Sequence, residues 1–312
     1  MPYDISLEWN GDALASTPTN RSSLIQLAAA TPELEQIAHL LSLDAEAVGA
    51  RAPYFRAQTP TSDLILKLNL SEVEIHWSRA VASVDGGLAP PVVGSGTLAD
   101  TSVTWLLQER ASVGLGTERA DNAVMMAAGA QFHMFGRDYD AGRSAPGGHP
   151  ERPTELIDEL LMASRTEGVP AEVDVLVDHV TDDWERLTNS VVIDWCHGDL
   201  HPGNVVRRSS KAPGLLIGFN PRRSPWIFDA AWLAGTALVL DMKPTYRWLF
   251  DLLRGERERA LGERVPDADF DRAAQLVAGW YAVMCWRRQP VERRRDSTLR
   301  ELVANEVRRA IG

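Results

Sequence analysis

The sequence predicts an α+β protein whose strands come first and whose helices fill most of the remainder. Two short apolar runs, Asp63–Leu70 and Thr101–Arg110, have strand character. From residue 118 to the end, most of the chain has apolar residues at helical spacing, and prolines mark several of the helix boundaries. A chain of 312 residues is long enough for one large or two medium domains.

The rest of the N-terminal region gives weaker signals. Residues 1–22 contain turn residues and little periodicity, so we expect a loosely docked start. Residues 23–42 have apolar residues at helical spacing, and Pro32 predicts that they form two short helices. Further along, the Gly-Ser-Gly of residues 94–96 follows two prolines and predicts a hairpin turn.

Composition limits the classes of partner. Acidic residues outnumber basic ones by 43 to 32, a formal charge of −11, which argues against nucleic acid. An acidic surface attracts cationic small molecules, although many acidic proteins bind none. No apolar run approaches the roughly 20 residues of a membrane helix, so we expect a cytoplasmic protein without membrane contact, as a monomer or homodimer. Cys196 and Cys285 are too few for a disulfide framework.

One stretch concentrates chemically active residues: Ile193–Val206, with the sequence IDWCHGDLHPGNVV. It places Asp199 five positions before Asn204, between two runs of strand character. In a phosphoryl-transfer loop, such a carboxylate accepts the proton of an attacking hydroxyl, and the amide oxygen binds Mg²⁺. Gly198 permits the unusual backbone angles of a tight turn, and Pro202 prevents a helix.

Two other interpretations of this stretch compete. It could be a polar turn between strands with no chemical role. His197 and His201 could instead form a metal pair, since histidines four apart on a helix readily bind one metal. Pro202 and Gly203 argue against a helix here, and therefore against zinc.

The run His197–Asn204, HGDLHPGN, resembles the signature of the aminoglycoside phosphotransferase and choline kinase-like family. These are small-molecule kinases built on the protein-kinase fold, so the resemblance implies a bilobal, protein-kinase-like α+β fold. A small mixed β/α lobe that binds nucleotide would span residues 1–109. A mainly helical lobe that carries the catalytic and substrate-binding residues would span residues 110–312. The resemblance also implies that Asp199 is the catalytic base and Asn204 a metal ligand.

The resemblance gives a role to a lone lysine. Lys67 is the only charge in the apolar part of its run, and burying it is costly unless it meets an anion. In the family, such a lysine binds the nucleotide phosphates and pairs with a glutamate on the following helix. Glu72 matches that position, with Glu74 as the alternative, and Ser71 can cap the helix. Otherwise Lys67 would be an edge-strand lysine whose amine reaches solvent.

The resemblance also implies where the adenine of a nucleotide would bind. Glu109, Arg110 and Ala111, continuing to Ser112, would form a hinge whose backbone groups bond the base. No glycine-rich phosphate loop can be assigned in residues 44–60, and no Walker-type motif occurs in the chain.

The chain departs from the family pattern at Asn220. The family has a metal-binding aspartate followed by proline at the end of this strand, whereas Asn220 precedes Pro221 here. An amide oxygen can touch a metal but brings no negative charge, so metal affinity should fall. Asp229 matches a later aspartate that braces the catalytic loop. His133, on a predicted helix, is expected to be a packed core histidine.

The resemblance, taken with the acidic charge, implies an ATP- or GTP-dependent O-phosphotransferase that uses Mg²⁺. Its acceptor would be a hydroxyl of a small, cationic molecule such as an aminoglycoside-like antibiotic, which would make it an antibiotic-resistance enzyme. Two alternatives stay open. Because of Asn220, the chain could bind nucleotide or ligand with impaired or absent turnover. It could also be a metabolic kinase for choline, a sugar or a related molecule.

Overall fold

The computed structural model describes residues 21–43, 54–84, 87–111, 113–116, 118–140, 153–190, 192–243 and 247–312. Contacts divide the chain into two compact units, residues 1–112 and 113–312. The sequence analysis sets the corresponding boundary after residue 109. The loop that resembles the kinase signature therefore belongs to the second unit, and Lys67 belongs to the first.

The first unit contains a five-stranded antiparallel sheet with the strand order β1-β2-β3-β5-β4. The strands are β1 (Leu41–Leu43), β2 (Tyr54–Gln58), β3 (Asp63–Leu68), β4 (Val92–Thr97) and β5 (Thr104–Glu109). Both strands predicted from the sequence, β3 and β5, are confirmed. Strand β3 is the middle strand of the sheet and is buried from Leu64 to Leu68.

The start of the described chain differs from the sequence prediction. Helix α1 (Arg21–Ala30) is present, but the prediction of a second helix before residue 42 is wrong. The chain instead makes a single 3-10 turn at Ala38–Leu40 and enters β1. Thr31 helps to end α1, because its hydroxyl donates to the Leu27 carbonyl at 2.9 Å and accepts from the Ala99 N–H at 2.9 Å.

The Gly-Ser-Gly of residues 94–96 lies inside β4, so the predicted hairpin turn is wrong. A buried tryptophan of the neighbouring strand, Trp105, explains the glycines. A Cβ on either Gly94 or Gly96 would lie 3.2 Å from its indole ring. The glycines therefore leave room for this side chain rather than turning the chain.

Helix α2 (Glu72–Ala82) follows β3 after a short turn. The predicted cap is confirmed, because the Ser71 hydroxyl oxygen accepts the Glu74 N–H at 3.0 Å. Trp77 and Val81 are buried on one face of this helix. The cap fixes where the helix begins and therefore which of its acidic residues faces the sheet.

The second unit is mainly helical, as predicted. Its helices are α3 (Arg119–Asp140), α4 (Pro153–Ser164), α5 (Glu172–Ser190), α6 (Phe228–Asp241), α7 (Arg247–Leu261), α8 (Asp267–Arg287), α9 (Val291–Arg294) and α10 (Ser297–Ile311). Helix α8 lies at the centre and packs against α6 and α10, with Phe270, Trp280 and Trp286 fully buried. Among the described helices, none has the length and apolarity that a membrane span requires.

Five short strands accompany these helices: β6 (Val113–Gly114), β7 (Ile193–Cys196), β8 (Val205–Arg207), β9 (Leu215–Leu216) and β10 (Arg222–Pro225). Strand β7 pairs with β10, while β6, β8 and β9 form a separate antiparallel sheet. Residues 197–204 connect β7 to β8, so the predicted strand–loop–strand arrangement is confirmed. We call residues 197–204 the catalytic loop. It contains one 3-10 turn, Pro202–Asn204, and no α-helix.

Candidate active site

Asp229 holds the start of the catalytic loop. This residue lies in the first turn of α6 and is 2% exposed. One carboxylate oxygen accepts the N–H of His197 at 2.8 Å, and the other accepts the N–H of Gly198 at 3.0 Å. Burial raises the pKa of Asp229, but the hydrogen bonds from the His133 ring and from the His197 N–H outweigh it and lower that pKa. Asp229 is therefore ionised at neutral pH and braces the loop.

His133 on α3 holds Asp229 in turn. Its Nε2 atom lies 2.9 Å from Asp229 Oδ2, and its ring is fully buried. Burial lowers the pKa of His133 despite the neighbouring carboxylate, so the ring is neutral and Nε2 donates its proton to Asp229. The sequence analysis identified a core histidine but missed this contact. The contact could have been expected from the sequence, because a buried histidine needs a polar partner.

His197 connects the two arms of the loop. Its Nδ1 accepts the N–H of Asp199 at 3.3 Å, and its Nε2 lies 3.1 Å from the Ile217 carbonyl oxygen. Burial lowers the pKa of His197, and the neutral ring donates from Nε2 to that carbonyl. Phe219 packs beside the ring at 5.1 Å between centroids. Both ring nitrogens are used within the protein, so His197 does not form a metal pair with His201.

Asn204 orients the proposed base. Its Nδ2 donates to the Asp199 carbonyl oxygen at 2.8 Å and to Asp199 Oδ2 at 3.0 Å. The other carboxylate oxygen, Oδ1, accepts no hydrogen bond from any residue in the described ranges. Burial raises the pKa of Asp199, but the His201 ring, whose Nε2 lies 3.7 Å from Asp199 Oδ2, and the Asn204 amide together bring that pKa below its ordinary value. The loop thus holds an ionised carboxylate with one oxygen available.

Asn220 and Gly218 have different environments. The Asn220 N–H donates to the His197 carbonyl oxygen at 3.2 Å, while its side chain is exposed. Gly218 has a φ of 66°, and a Cβ there would lie 2.5 Å from Asn204 Oδ1. On the segment after β9, a side chain at position 218 would therefore meet the Asn204 carboxamide. The assignment of Asn220 as a metal ligand stays a prediction.

The residues at the loop do not fit a tightly held Mg²⁺ ion. Mg²⁺ favours carboxylate oxygens, and the described loop offers the Asp199 carboxylate and the Asn204 amide oxygen. Across the described residues, one cluster of three metal-binding side chains occurs: His133, Cys196 and Asp229, all buried. Asp229 in that cluster is already bonded to the loop and to His133, so the cluster has a structural explanation. We therefore derive no catalytic step through a bound metal.

An ion cluster anchors the strand that leads into the loop. Arg137 of α3 donates to both oxygens of Asp194 in β7, at 2.6 and 2.7 Å. Arg257 of α7 donates to Asp194 at 2.6 Å, and its guanidinium lies 4.7 Å from the centre of the Trp226 ring. Glu263 bonds to both arginines. The sequence analysis did not identify this cluster, which connects β7 to two helices.

In the first unit, Lys67 is 2% exposed on the middle strand β3. The alternative of an edge-strand lysine that reaches solvent is therefore wrong. Burial lowers the pKa of Lys67, and the charge of Glu74 partly restores it. Residues two apart on a helix point about 200° apart, so Glu72 and Glu74 cannot both face the sheet. Glu72 is exposed, and the structure favours Glu74, the alternative partner.

The residues predicted to form the hinge lie at the end of β5. The N–H of Glu109 donates to the Pro91 carbonyl oxygen at 2.9 Å, and the N–H of Arg110 donates to the Asp63 carbonyl oxygen at 2.8 Å. A base bound here would have to use carbonyl oxygens or the backbone of Ala111. The hinge stays a prediction, and Ser112 lies outside the described residues.

Comparison with known proteins agrees with this fold. A model of the phosphotransferase enzyme family matches residues 47–276. A protein of Ralstonia eutropha, classed provisionally as an aminoglycoside phosphotransferase, is 14% identical, with 92% of this chain and 98% of that chain covered at a TM-score of 0.64. A choline/ethanolamine kinase family protein from Mesorhizobium loti is 16% identical, with coverage of 93% and 92% at a TM-score of 0.57.

A third similar structure is the amicoumacin kinase hAmiN, in complex with AMP-PNP, Ca²⁺ and its ligand. It is 15% identical, with 93% of this chain and 92% of that chain covered at a TM-score of 0.56. None of the curated proteins matches the sequence significantly. The antiparallel sheet of the first unit and the helical second unit define a protein-kinase-like fold. The family match covers more than half of the chain, and the chain belongs to the phosphotransferase enzyme family.

Proposed function

We propose that this chain transfers the terminal phosphoryl group of ATP or GTP to a hydroxyl of a small molecule. The observation that carries the proposal is the arrangement of Asp199, which is ionised and held by Asn204. The loop around it is fixed through the two N–H bonds to Asp229. Such preorganisation positions a general base without further rearrangement.

The reaction would proceed by direct transfer. Asp199 accepts the proton of the acceptor hydroxyl as its oxygen attacks the terminal phosphorus in line. A new P–O bond forms, the bond to the leaving nucleoside diphosphate breaks, and the diphosphate carries away the electron pair. No covalent intermediate with the protein forms. In the first unit, the buried Lys67 supported by Glu74 is the proposed anchor for the nucleotide phosphates.

The acceptor is proposed to be a small alcohol with a positive charge. The formal charge of the chain, −11, favours a cationic ligand. Choline and ethanolamine, named for one similar structure, are alcohols that carry a positive nitrogen at neutral pH. An aminoglycoside-like antibiotic has the same combination of hydroxyl and amine groups. Both classes of acceptor combine a hydroxyl with a positively charged nitrogen, and the assay distinguishes between them.

The test is phosphoryl transfer from ATP and GTP to aminoglycosides, choline, ethanolamine and uncharged sugars, with Mg²⁺ supplied alongside the nucleotide. We expect turnover with a cationic alcohol, and we expect Asp199→Asn to lower kcat by at least about 100-fold, as for removal of a general base. The matched control is Asp241→Asn at the exposed end of α6, which should leave kcat unchanged. Equal turnover by the Asp199→Asn variant would overturn the proposed role of Asp199.

A second candidate function is binding of nucleotide or ligand without turnover. The observation that favours it is the donor set at the loop, where Gly218 faces Asn204 and brings no carboxylate. Saturable ADP binding together with no transfer to any acceptor would support this second function. Transfer that depends on Asp199 would exclude it.

A further inference from the structure

The residue at position 218 determines which side chain can bind a cation together with Asn204. The Asn204 Nδ2 atom is bonded to Asp199, which leaves its Oδ1 directed toward Gly218. A Cβ at position 218 would lie 2.5 Å from that oxygen and 2.9 Å from the Asn204 Cγ atom. A carboxylate that binds the same cation as the Asn204 oxygen would therefore be best placed at position 218.

Asn220 is placed differently. It contacts the loop through its backbone, by the bond from its N–H to the His197 carbonyl oxygen, and its side chain is exposed. The carbonyl oxygen of Asn220 lies against Gly198. A carboxylate at 220 is therefore not expected to complete a site with Asn204.

The backbone at Gly218 would accept an aspartate. Its φ of 66° lies in the left-handed region, where asparagine and aspartate are the side-chain-bearing residues that occur most often. The nearest atoms to the added Cβ belong to the Asn204 side chain rather than to backbone. An aspartate at 218 would thus need a small rotation of the Asn204 amide and no change of fold.

The charge near the loop also disfavours a bound cation. Arg222 of β10 donates from Nη2 to the Gly198 carbonyl oxygen at 3.2 Å, one residue before Asp199. In the β7–β10 ladder, Arg222 lies opposite Cys196, at the point where the loop begins. Its guanidinium places a positive charge at the start of the loop, so a divalent cation gains less attraction there.

We propose that position 218 determines the divalent-cation affinity of the catalytic loop, and that Gly218 makes this affinity weak in the present chain. The proposal concerns the site of the proposed phosphotransferase and rests on that site. It departs from the Mg²⁺ dependence that the family resemblance implies, and it moves the responsible position from Asn220 to Gly218.

The test measures Mn²⁺ binding directly, by the loss of the free-ion electron paramagnetic resonance signal on titration. The full chain is compared with Gly218→Asp and with Asn220→Asp. Relative to the unaltered chain, Gly218→Asp should bind Mn²⁺ at least about tenfold more tightly, because it adds a carboxylate beside the Asn204 oxygen. Asn220→Asp should change the affinity by less than about twofold, because its side chain points to solvent.

Three results would overturn the proposal or its claim of weak affinity. Tightening by Asn220→Asp but not by Gly218→Asp would overturn the proposal and restore Asn220 as the controlling position. Equal affinity of folded Gly218→Asp and the unaltered chain would also overturn it. Micromolar Mn²⁺ binding by the unaltered chain that disappears in Asn204→Ala would show that the existing residues suffice, and would overturn the weak-affinity claim.

Two further measurements serve as controls for this test. Gly218→Asn has the same shape as Gly218→Asp without the charge, so it should fold similarly and leave Mn²⁺ affinity near that of the unaltered chain. Circular dichroism and thermal unfolding of each variant check the fold. If Gly218→Asp does not fold, the titrations of the unaltered chain and of Asn220→Asp still decide whether the affinity is weak and whether position 220 controls it. No turnover is needed, so failure of phosphoryl transfer and failure of this inference are separate results.

Discussion

The carbonyl oxygen of Asn220 occupies the space in which a side chain on residue 198 would begin. Gly198 has a φ of 79°, and a Cβ there would overlap that oxygen. Gly198→Ala should therefore suffer both backbone strain, about 1–2 kcal/mol, and a clash with backbone that cannot rotate away. We expect a destabilisation of at least about 3 kcal/mol in urea unfolding and loss of any phosphoryl transfer.

A matched control separates the two effects. Gly168, between α4 and α5, has a φ of 81°, but a Cβ there would meet nothing within 4 Å. Gly168→Ala should therefore show the backbone strain alone, about 1–2 kcal/mol. Equal losses of stability in the two variants would show that the contact between Gly198 and Asn220 contributes nothing.

The bond network around Asp229 predicts a local change in hydrogen exchange. Asp229→Asn keeps the shape of the side chain but offers one acceptor oxygen to the two N–H groups of His197 and Gly198. We expect amide exchange in peptides that cover these residues to speed up at least about tenfold, since a bond to a charged acceptor contributes about 1.5–3 kcal/mol. Asp241→Asn on the same helix should leave these rates unchanged. Unaltered exchange in Asp229→Asn would contradict the bracing role.

The catalytic loop was predictable because its chemistry is local. Proton acceptance and amide ligation restrict the residue types within eight consecutive positions, and glycine and proline fix the turn. The division into a β-rich first unit and a helical second unit was also readable, since apolar spacing changes from strand to helix. These signals depend on residues near one another in sequence.

The parts that the sequence analysis missed depend on three-dimensional placement. Whether position 218 or 220 faces Asn204 is decided by a left-handed turn that apolar spacing does not record. The ion cluster at Asp194 joins residues 57 and 63 positions away. The glycines of β4 indicate a turn when only the local sequence is considered, because the tryptophan that needs their space lies in another strand.

The choice between the two glutamates of α2 is testable with a matched pair. Glu74→Gln removes the charge that raises the pKa of the buried Lys67, whereas Glu72→Gln removes an exposed charge. Both variants lose a first-turn carboxylate, which costs about 0.3–1 kcal/mol through the helix dipole. Only Glu74→Gln should add a further loss of about 1–2 kcal/mol, because it leaves a buried lysine less compensated.

Nucleotide binding gives a second measurement on the same pair. If Lys67 anchors the phosphates, ADP affinity measured by calorimetry should fall at least about fivefold in Glu74→Gln and stay unchanged in Glu72→Gln. The reverse order would restore Glu72 as the functional partner. Loss of stability without a change in ADP affinity would limit Glu74 to a structural role.

The ion cluster at Asp194 predicts a pH-dependent contribution to stability. Burial raises the pKa of Asp194, but the hydrogen bond from Arg137 and the charge of Arg257 outweigh it, so its pKa lies below the ordinary 3.8. A carboxyl group whose pKa falls on folding stabilises the folded state above its unfolded pKa, and this stabilisation is lost as the pH falls through the folded pKa. The contribution of Asp194 should therefore be complete at neutral pH and decline below about pH 4.

Asp194→Asn tests this directly, because it leaves the buried Arg257 and the half-buried Arg137 without their shared carboxylate. We expect a loss of about 3–5 kcal/mol in urea unfolding at pH 7, as for breaking a buried ion pair from one side, and a smaller loss at pH 3. The control is Asp251→Asn, whose partner Arg247 lies 3.5 Å away on the surface, and whose loss should stay below about 1 kcal/mol. A loss in Asp194→Asn that is the same at both pH values would show that the ionised carboxylate is not what anchors β7. The helices would then hold the strand by apolar packing alone, as Trp195 packed against Gly136 of α3 would allow.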